Sequence, residues 1–193
     1  ALWVMATNPA VSMPDADRVR ASLAKLDLLV ISDNVLSTDT MLRARDIGTG
    51  TQVLVPAAAW GEKDGTVTNS ERRISRQRAF LPAPGEAKPD WWQMAEVGRR
   101  MGHEAAFAFD GPAAIFREHA ALSAFENNGE RDFDIGVHAE INAEDYDAIL
   151  PFQWPLRQDG SSTARFFADG GFFTPDRKAR FVPVTAPALE ETD

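Results

Sequence analysis

The sequence predicts an α/β fold: a parallel, Rossmann-like βαβ sheet with flanking helices, followed by a short β-rich C-terminal segment. Apolar runs at residues 2–6 and 28–31 have the length and composition of buried strands. Between them, Ala16, Val19 and Leu23 recur at the spacing of one helix face. A strand, a helix and a strand in this order predict a βαβ unit, whose strands run parallel with a right-handed crossover.

Short polar signals bound these first elements. Residues 7–9 (Thr-Asn-Pro) are a turn signal after the first strand, and Asp15 stands where a helix cap is expected. Residues 32–33 (Ser-Asp) close the second strand. Residues 53–55 are a third apolar run, which Pro56 ends. The N-terminal part therefore predicts three strand ends, each followed by polar residues.

A long connection and three helices are predicted for the middle of the chain. Residues 57–89 contain several glycines and prolines and are expected to be irregular; so long a connection in a compact domain is usually functional. Asp90 is expected to cap the next helix, with Gln93 as its capping-box partner. Two further helices are expected to begin near Pro112 and at Asn142.

Phenylalanine-rich runs mark the last part of the chain. Residues 164–168, 171–174 and 179–184 have the composition of short strands and are separated by turn signals. We therefore predict an α/β domain over residues 1–150, and a linker with the start of a β-barrel-type domain over residues 151–193.

Charge and composition exclude several classes of protein. The 193 residues include 20 Lys or Arg and 29 Asp or Glu, so the formal net charge is -9. Such a chain is a poor match for nucleic acid or an anionic membrane, which attract basic surfaces. The absence of cysteine excludes disulfides, thiol catalysis, zinc–thiolate sites and iron–sulfur ligation within this chain. No apolar stretch reaches the roughly 20 residues of a membrane helix, so membrane insertion is not expected.

Familiar catalytic motifs are missing from the sequence. The chain has no G-x-G-x-x-G dinucleotide loop, no phosphate-binding P-loop and no G-x-S-x-G nucleophile elbow. His103, His119 and His138 share no spacing with one another or with a carboxylate. No metal ligand and no catalytic residue is therefore assigned within the chain.

The candidate binding residues follow the strand ends, because ligands of open α/β sheets bind beyond the carboxyl ends of parallel strands. Asn8 can donate and accept hydrogen bonds, the Asp33 carboxylate can accept two N–H groups or ribose hydroxyls, and Lys63 can face a phosphate. Simpler roles stay open: Asn8 as a turn former, Lys63 and the arginines of residues 72–78 as solvated charges, Asp90 as a helix cap. The residues alone predict an α/β nucleotide-binding unit.

Five segments stand out in order along the chain: LWVMATNPA, LLVISDNVLSTDT, VLVPAAAWGEKDGTVTNSERRISRQ, APGEAKPDWW and RFFADGGFFTPDRKARFVPV. They resemble segments of the molybdenum bis-molybdopterin guanine dinucleotide oxidoreductases, with the best match to bacterial nitrate reductases of the assimilatory branch. The third segment is the longest and most specific, and its part WGEKDGTVTNSERR is similar to the family's cofactor-binding segment. Together they cover most of the chain.

The resemblance implies two groups of cofactor-binding residues. The first group falls where the family contacts the guanine dinucleotide, and it comprises Asn8, Ser32, Asp33, Lys63 and Asp90. Within it, Asp33 is expected to hold the guanosine end. The second group lies in the signature loop and is expected to shape the wall around the cofactor; it comprises Gly65, Thr66, Asn69, Glu71 and Arg72.

The sequence departs from the family pattern in three places. Ala6 stands where a glycine is common, and Arg177 replaces a usual glycine in the run before Ala-Arg-Phe. Residues 43–50 lengthen or rewrite a short step into the third strand. The last departure puts the local loop geometry near that strand in question.

By the resemblance, the chain is expected to be an internal fragment of a nitrate-assimilation enzyme that reduces nitrate to nitrite. The implied cofactor is molybdenum bis(molybdopterin guanine dinucleotide), with a 4Fe-4S cluster in the parent protein but not in this chain. The molybdenum ligand is also expected elsewhere, so the fragment should not be active alone. The first residues favour a fragment, because they lack an initiator Met and begin within an apparent strand.

The expected partners are the rest of the parent polypeptide, an electron-donor protein or domain, and nitrate as the small-molecule substrate. Nucleic acid is not an expected partner. The bacterial cytoplasm is the expected location. Formate dehydrogenase, periplasmic nitrate reductase and a non-catalytic cofactor-binding module remain as alternatives.

Overall fold

The computed structural model describes residues 1–35, 37–43 and 50–185, so most of the rewritten step at residues 43–50 lies outside the described residues. The strands are β1 (Leu2–Met5), β2 (Leu28–Asp33), β3 (Thr51–Pro56), β4 (Gly65–Thr68), β5 (Arg73–Gln77) and β6 (Phe152–Gln153). The α-helices are α1 (Pro9–Ser12), α2 (Ala16–Leu23), α3 (Asp39–Arg43), α4 (Asp90–Arg100), α5 (Pro112–Ala124) and α6 (Ala143–Ala148). Single 3-10 turns lie at Trp60–Glu62, Ala105–Phe107 and Gly136–His138.

The fold begins with a three-stranded parallel sheet in the order β1-β2-β3. The helices α1 and α2 connect β1 to β2, so the predicted βαβ unit and the α/β class are confirmed. Met5 of β1 pairs with Ser32 of β2, and Ser32 pairs with Val55 of β3. The three strands therefore end at nearly the same level of the sheet.

One face of this sheet packs against α1, α2 and α3. Leu29 and Ile31 of the central strand are completely buried there, because alternate residues of a strand share a face. They form one apolar cluster with Val4, Leu23 and Met41. This cluster packs β1 and β2 against the helices.

Two predicted helix caps are confirmed and one is wrong. The Asp15 carboxylate accepts a hydrogen bond from a backbone N–H at the start of α2 at 3.3 Å, and the Asn142 amide oxygen caps α6 at 2.8 Å. In contrast, Pro89 occupies the cap position of α4, and Asp90 is its first helical residue. The Gln93 amide donates to backbone carbonyls outside α4, so the predicted capping box does not form.

Residues 57–89 are not irregular throughout, because they contain an antiparallel hairpin. β4 pairs with β5 from Gly65 opposite Gln77 to Thr68 opposite Ile74, and β6 pairs with the other side of β5. The three successive β-branched residues of β4 favour a strand, but the surrounding glycines and charged residues hide the pattern. Pairing with β5, rather than local composition, defines this strand.

The hairpin, α5 and α6 share a second core. Ile74 of β5 packs there with Phe116 and Ala120 of α5, with Ile135, and with Tyr146 of α6. Phe116 and Ala120 are four residues apart and therefore lie on one helix face. Among the described residues, no helix is long and apolar enough to cross a membrane.

Of the three phenylalanine-rich runs after residue 163, residues 164–168 form bends and turns, residues 171–174 end in bends, and residues 179–184 have no regular secondary structure, so the prediction of strands there is wrong. In the described part of the chain after residue 150, strand pairing consists of β6 and one bridge between Leu156 and Ser162. The phenylalanine rings pack on one another instead, as in the stacked pair Phe167 and Phe172 with centroids 4.5 Å apart. A domain boundary at residue 150 stays a prediction.

We expect acid to weaken the second core through His138. Its imidazole packs against Phe116 and Phe152, with ring centroids 5.8 and 4.5 Å away. Burial lowers the pKa of His138 below its ordinary value of 6.5, because apolar surroundings disfavour the charged form. The folded state therefore binds fewer protons than the unfolded state between that lowered pKa and 6.5. The free energy of unfolding should fall as pH drops through this window.

Urea unfolding at about pH 7.5 and about pH 5.5 measures this loss. His138→Gln should lose less stability between the two pH values than the unchanged chain. His103→Gln is the matched control, because His103 is exposed. An acid loss of the same size in the unchanged chain and in His138→Gln would contradict the assignment.

Candidate functional site

The three predicted strand ends emerge at one edge of the parallel sheet. The backbone N–H of Ala6, just after β1, donates to the Ser32 carbonyl at 2.9 Å. The N–H of Ala57, just after β3, donates to the Asp33 carbonyl at 3.0 Å. This strand-end edge therefore places Asn8, the Ser32–Asp33 step and the segment after Pro56 on the same side of the sheet, as predicted.

Asn8 ties the strand-end edge to α3. Its Oδ1 accepts hydrogen bonds from the backbone N–H of Thr40 at 3.1 Å and from the Thr40 hydroxyl at 2.7 Å. Its Nδ2 donates to Asp39 at 3.4 Å. The side chain thus positions α3 beside the edge, and its amide oxygen is already engaged within the chain.

Ser32 and Asp33 differ in accessibility although they are neighbours. Ser32 is completely buried, and its hydroxyl oxygen accepts a hydrogen bond from the Trp3 indole at 2.7 Å. Asp33 is half-buried, and its Oδ1 accepts from the backbone N–H of Val35 at 3.0 Å. Asp33 is therefore the better placed of the two to meet a ligand.

Lys63 and Asp90, both predicted from the sequence, form an ion pair with a distance of 2.9 Å. Their side chains are 30% and 27% exposed. The other carboxylate oxygen, Asp90 Oδ1, is buried and has no hydrogen-bond partner among the described residues. A buried acceptor without a partner is costly, so this oxygen is a natural place for an N–H group of a ligand.

Backbone contacts join this ion pair to the end of β3. Lys88 donates its backbone N–H to the Pro56 carbonyl at 3.2 Å, and Ala58 donates to the Lys88 carbonyl at 3.0 Å. The buried Gln93 adds hydrogen bonds from its side-chain amide to the carbonyls of Pro56 and Lys88, at 3.2 and 3.1 Å. The sequence pattern missed this role of Gln93, since its spacing from Asp90 matched a capping box.

The residues of the signature loop lie at opposite ends of the hairpin. Gly65 and Thr66 lie near Lys63, at the start of β4. Asn69 lies past the other end of β4, about 10 Å further along the strand. Its Oδ1 accepts from the backbone N–H groups of Glu71 and Arg73 at 3.1 and 3.0 Å, which shapes the hairpin turn.

Glu71 and Arg72 are held within the hairpin turn and its neighbours. An ion pair with Arg73 at 2.7 Å lowers the pKa of Glu71. The Arg72 guanidinium donates to the carbonyls of Thr163 and Ala164 at 3.1 and 3.0 Å. Arg72 therefore points to the C-terminal segment, and its part in a cofactor wall stays a prediction.

An apolar cleft of about 710 Å³ lies between the sheet and α4. Trp3, Val30 and Val53 line it from the sheet, and Trp92 lines it from α4. Its lining is mostly apolar, and among the described residues that line it Glu96 is charged and none is a lysine or arginine, so it lacks the basic side chains that suit a phosphorylated ligand. The strand-end edge is therefore the candidate site.

Residues 1–100 match the family model described as molybdopterin oxidoreductase. The chain belongs to the molybdopterin oxidoreductase family. The matched residues include the parallel sheet, the hairpin and the Lys63–Asp90 pair.

Nitrate reductases are among the similar members of this family. The chain is 48% identical to the nitrate reductase of Klebsiella oxytoca over 194 aligned residues, covering 100% of this chain and 21% of that protein. It is 43% identical to the nitrate reductase of Shewanella frigidimarina, covering 94% of this chain and 19% of that protein. An F420-dependent formate dehydrogenase subunit alpha of Methanocaldococcus jannaschii is 38% identical, with coverages of 95% and 24%. The chain thus spans about a fifth of the length of these nitrate reductases.

A solved structure shows the same fold. Acetylene hydratase from Pelobacter acetylenicus matches with a TM-score of 0.58 over 91% of this chain and 20% of that chain, at 18% sequence identity. At this identity the likeness concerns the fold alone.

The family implies a molybdopterin cofactor, and the strand-end edge fits such a ligand. Asp90 Oδ1 is a buried acceptor without a partner among the described residues, and Asp33 offers a half-buried carboxylate. Lys63 supplies a cation for a phosphate. A Cβ added to Gly65 would meet no atom of the described chain within 4 Å, so there is room for a ligand at that backbone.

Proposed function

We propose that this chain is part of a molybdenum-dependent nitrate reductase and that its strand-end edge binds a guanine dinucleotide arm of the bis-molybdopterin cofactor. The observation that carries the proposal is the buried Asp90 Oδ1, which has no hydrogen-bond partner in the described part of the chain and belongs to the carboxylate that pairs with the Lys63 ammonium. An acceptor next to a cation suits a ligand that has both N–H groups and phosphates. The nitrate reductases at 48% and 43% identity support the choice of substrate.

In this proposal, the residues of the edge have different tasks. Asp33 accepts N–H groups of the guanine, Lys63 faces a phosphate, and Asp90 orients Lys63 while accepting a further N–H group of the ligand. Asn8 and Ser32 hold the neighbouring backbone in place through Thr40 and Trp3. When bound, the molybdenum cofactor supplies the oxygen-atom transfer that converts nitrate to nitrite.

The remaining parts of the reaction belong to the longer protein that we propose. The chain has no cysteine, so a thiolate ligand for molybdenum and a 4Fe-4S cluster would come from the rest of the polypeptide. An electron-donor protein or domain would deliver electrons through that cluster. We place this enzyme in nitrate assimilation in the bacterial cytoplasm.

A formate dehydrogenase is the second candidate, because a relative with that name is 38% identical. The two candidates differ in the direction of electron flow at the cofactor. The complete enzyme carrying this chain should oxidise reduced viologen when nitrate is added, and should not reduce oxidised viologen with formate. The opposite pattern would favour the formate dehydrogenase.

Binding of GDP to the purified chain tests the nucleotide site. Asp33→Asn keeps the shape of the side chain and the acceptor for Val35, but loses the charge. We expect it to weaken GDP binding by about 10-fold to 100-fold, since a hydrogen bond to a charged group contributes about 1.5–3 kcal/mol. Isothermal titration calorimetry measures the affinity, and circular dichroism checks the fold.

Asp17→Asn is the matched control, because the Asp17 side chain is 96% exposed on α2. It removes the same charge and should leave GDP affinity unchanged. ADP should bind more weakly than GDP if Asp33 recognises the guanine edge. A folded chain that does not bind GDP, or Asp33→Asn with undiminished affinity, would count against the proposal.

A further inference from the structure

Arg76, on β5, contacts the segment that carries Lys63 at several points. Its guanidinium forms a two-point ion pair with Asp64, with distances of 2.9 Å from Nη1 to Oδ1 and 2.8 Å from Nη2 to Oδ2. Nη1 also donates to the backbone carbonyl of Gly65 at 2.9 Å. Asp64 and Gly65 directly follow Lys63 in the sequence. Arg76 therefore holds the two residues next to the lysine.

The position of Arg76 is set from the other side by α6. Nη2 donates to Asp147 Oδ1 at 3.1 Å, and the guanidinium lies 4.3 Å from the centre of the Tyr146 ring. The Arg76 side chain is only 5% exposed. Because the arginine is enclosed between the hairpin and α6, it connects the second core to the segment of Lys63.

The Arg76–Asp64 contact is a pair of charged groups near neutral pH. The hydrogen bond from Arg76 holds the pKa of Asp64 below its usual range, and the same bond raises the pKa of Arg76. Both groups therefore stay charged wherever the chain is folded near neutral pH. A two-point arginine–carboxylate contact also restricts orientation more than a lysine contact can.

Neighbouring residues of β5 and the following segment hold the Lys63 segment at further points. The Gln77 amide donates to the carbonyls of Trp60 and Lys63, at 2.5 and 3.4 Å. The backbone N–H of Phe80 donates to the Gly61 carbonyl at 2.9 Å. Residues 60–65 are thus anchored by Arg76, Gln77 and Phe80, with Arg76 providing the charged anchor next to Lys63.

We propose that Arg76 is a positioning residue for Lys63, fixing the Asp64–Gly65 step so that the ammonium group stays beside Asp90 and faces a phosphate of the ligand. This proposal rests on the proposed function, in which Lys63 meets the phosphate. Without Arg76, the Asp64 carboxylate is released beside the lysine, and the segment gains freedom that ligand binding must remove.

Hydrogen exchange tests the anchoring without any ligand. Arg76→Met should speed exchange of the amides in residues 60–65 by at least about tenfold. Arg76→Lys should speed it less, because lysine keeps the charge but cannot form the two-point contact, and this variant serves if Arg76→Met does not fold. Arg78→Met is the matched control, since Arg78 pairs with Asp147 on the same side of the hairpin and is 55% exposed. Unchanged exchange in both Arg76 variants overturns the proposal.

A double-mutant cycle with GDP tests whether Arg76 acts through Lys63. Arg76→Met should weaken GDP binding about tenfold alone, but less than about twofold when Lys63→Met is already present. Arg78→Met should leave GDP affinity unchanged. A general loss of structure would instead weaken binding equally in both backgrounds.

The outcomes separate the positioning role from the proposed function. If Lys63→Met weakens GDP binding but the Arg76 effect is the same with and without Lys63, the positioning role is overturned and the proposed function stands. If Lys63→Met binds GDP as well as the unchanged chain, the phosphate contact fails, and the positioning role fails with it. Rescue of most of the affinity in Arg76→Lys, relative to Arg76→Met, supports the positioning role.

Discussion

Replacing Ile31 with alanine is expected to lower the free energy of unfolding by about 2–5 kcal/mol. Ile31 lies on the central strand of the parallel sheet and is completely buried. Its side chain packs with Val4, Leu23 and Met41 in the first core. Truncation removes buried methyl groups and leaves a cavity, which a strand bonded to neighbours on both sides cannot close. Urea unfolding followed by circular dichroism measures the loss.

Val53→Ala is the control for this prediction. Val53 lies on the edge strand β3, on the face opposite the first core, and it is 40% exposed. Its truncation should cost less than about 1 kcal/mol, as is usual away from a packed core. Equal losses for Ile31→Ala and Val53→Ala would contradict a core confined to the helix-covered face.

Replacing Arg72 with methionine is expected to lower the free energy of unfolding by about 2–4 kcal/mol, because hydrogen bonds to charged groups contribute about 1.5–3 kcal/mol each and are not additive. The guanidinium donates to the carbonyls of Trp154, Thr163 and Ala164. It also lies 4.3 Å from the centre of the Phe166 ring. Losing these contacts should release the C-terminal segment, which limited proteolysis at residues 157–170 would detect alongside urea unfolding.

The backbone of Arg72 allows a sharper version of this test. Its φ of 68° lies in the left-handed region, which glycine adopts with less strain. Arg72→Gly should therefore be more stable than Arg72→Ala by about 1 kcal/mol. Arg73→Ala is the control, since its ion pair with Glu71 is exposed to solvent and should contribute much less to stability than the enclosed Arg72 contacts.

The Arg72→Met variant also distinguishes between two possible roles of Arg72. The family resemblance implies a place in the cofactor wall, whereas the structure shows a link to the C-terminal segment. Unchanged stability in Arg72→Met together with weaker GDP binding would favour the cofactor role. Lower stability with early proteolysis would favour the structural one.

The strand-end residues could be predicted because they depend on local patterns. A short apolar run predicts a buried strand, and the polar residues after it must lie at the strand's carboxyl end. The pattern therefore predicts, without knowledge of the strand pairing, that Asn8 and Asp33 lie at one edge of the sheet. The hairpin was not predicted, since β4 is defined by its partner β5 rather than by its own composition.

In the phenylalanine-rich runs, strands are predicted but do not form. Aromatic residues favour strands, but a strand also needs a neighbour for its backbone hydrogen bonds. Among the described residues after 163, the rings of Phe167 and Phe172 stack on each other and the backbone turns instead. The aromatic composition therefore indicates a preference for strands, but the described residues of these runs have no neighbouring strand with which to pair.

Local periodicity was sufficient for the parallel βαβ unit and for the polar residues at its edge. It could not specify that Lys63 would pair with Asp90, which is 27 residues away, or that Arg72 would bind carbonyls 91 and 92 residues away. Such pairs depend on how the two cores pack the sheet, the hairpin and the helices together. Their geometry depends on distances between elements, which a repeating pattern within one element does not contain.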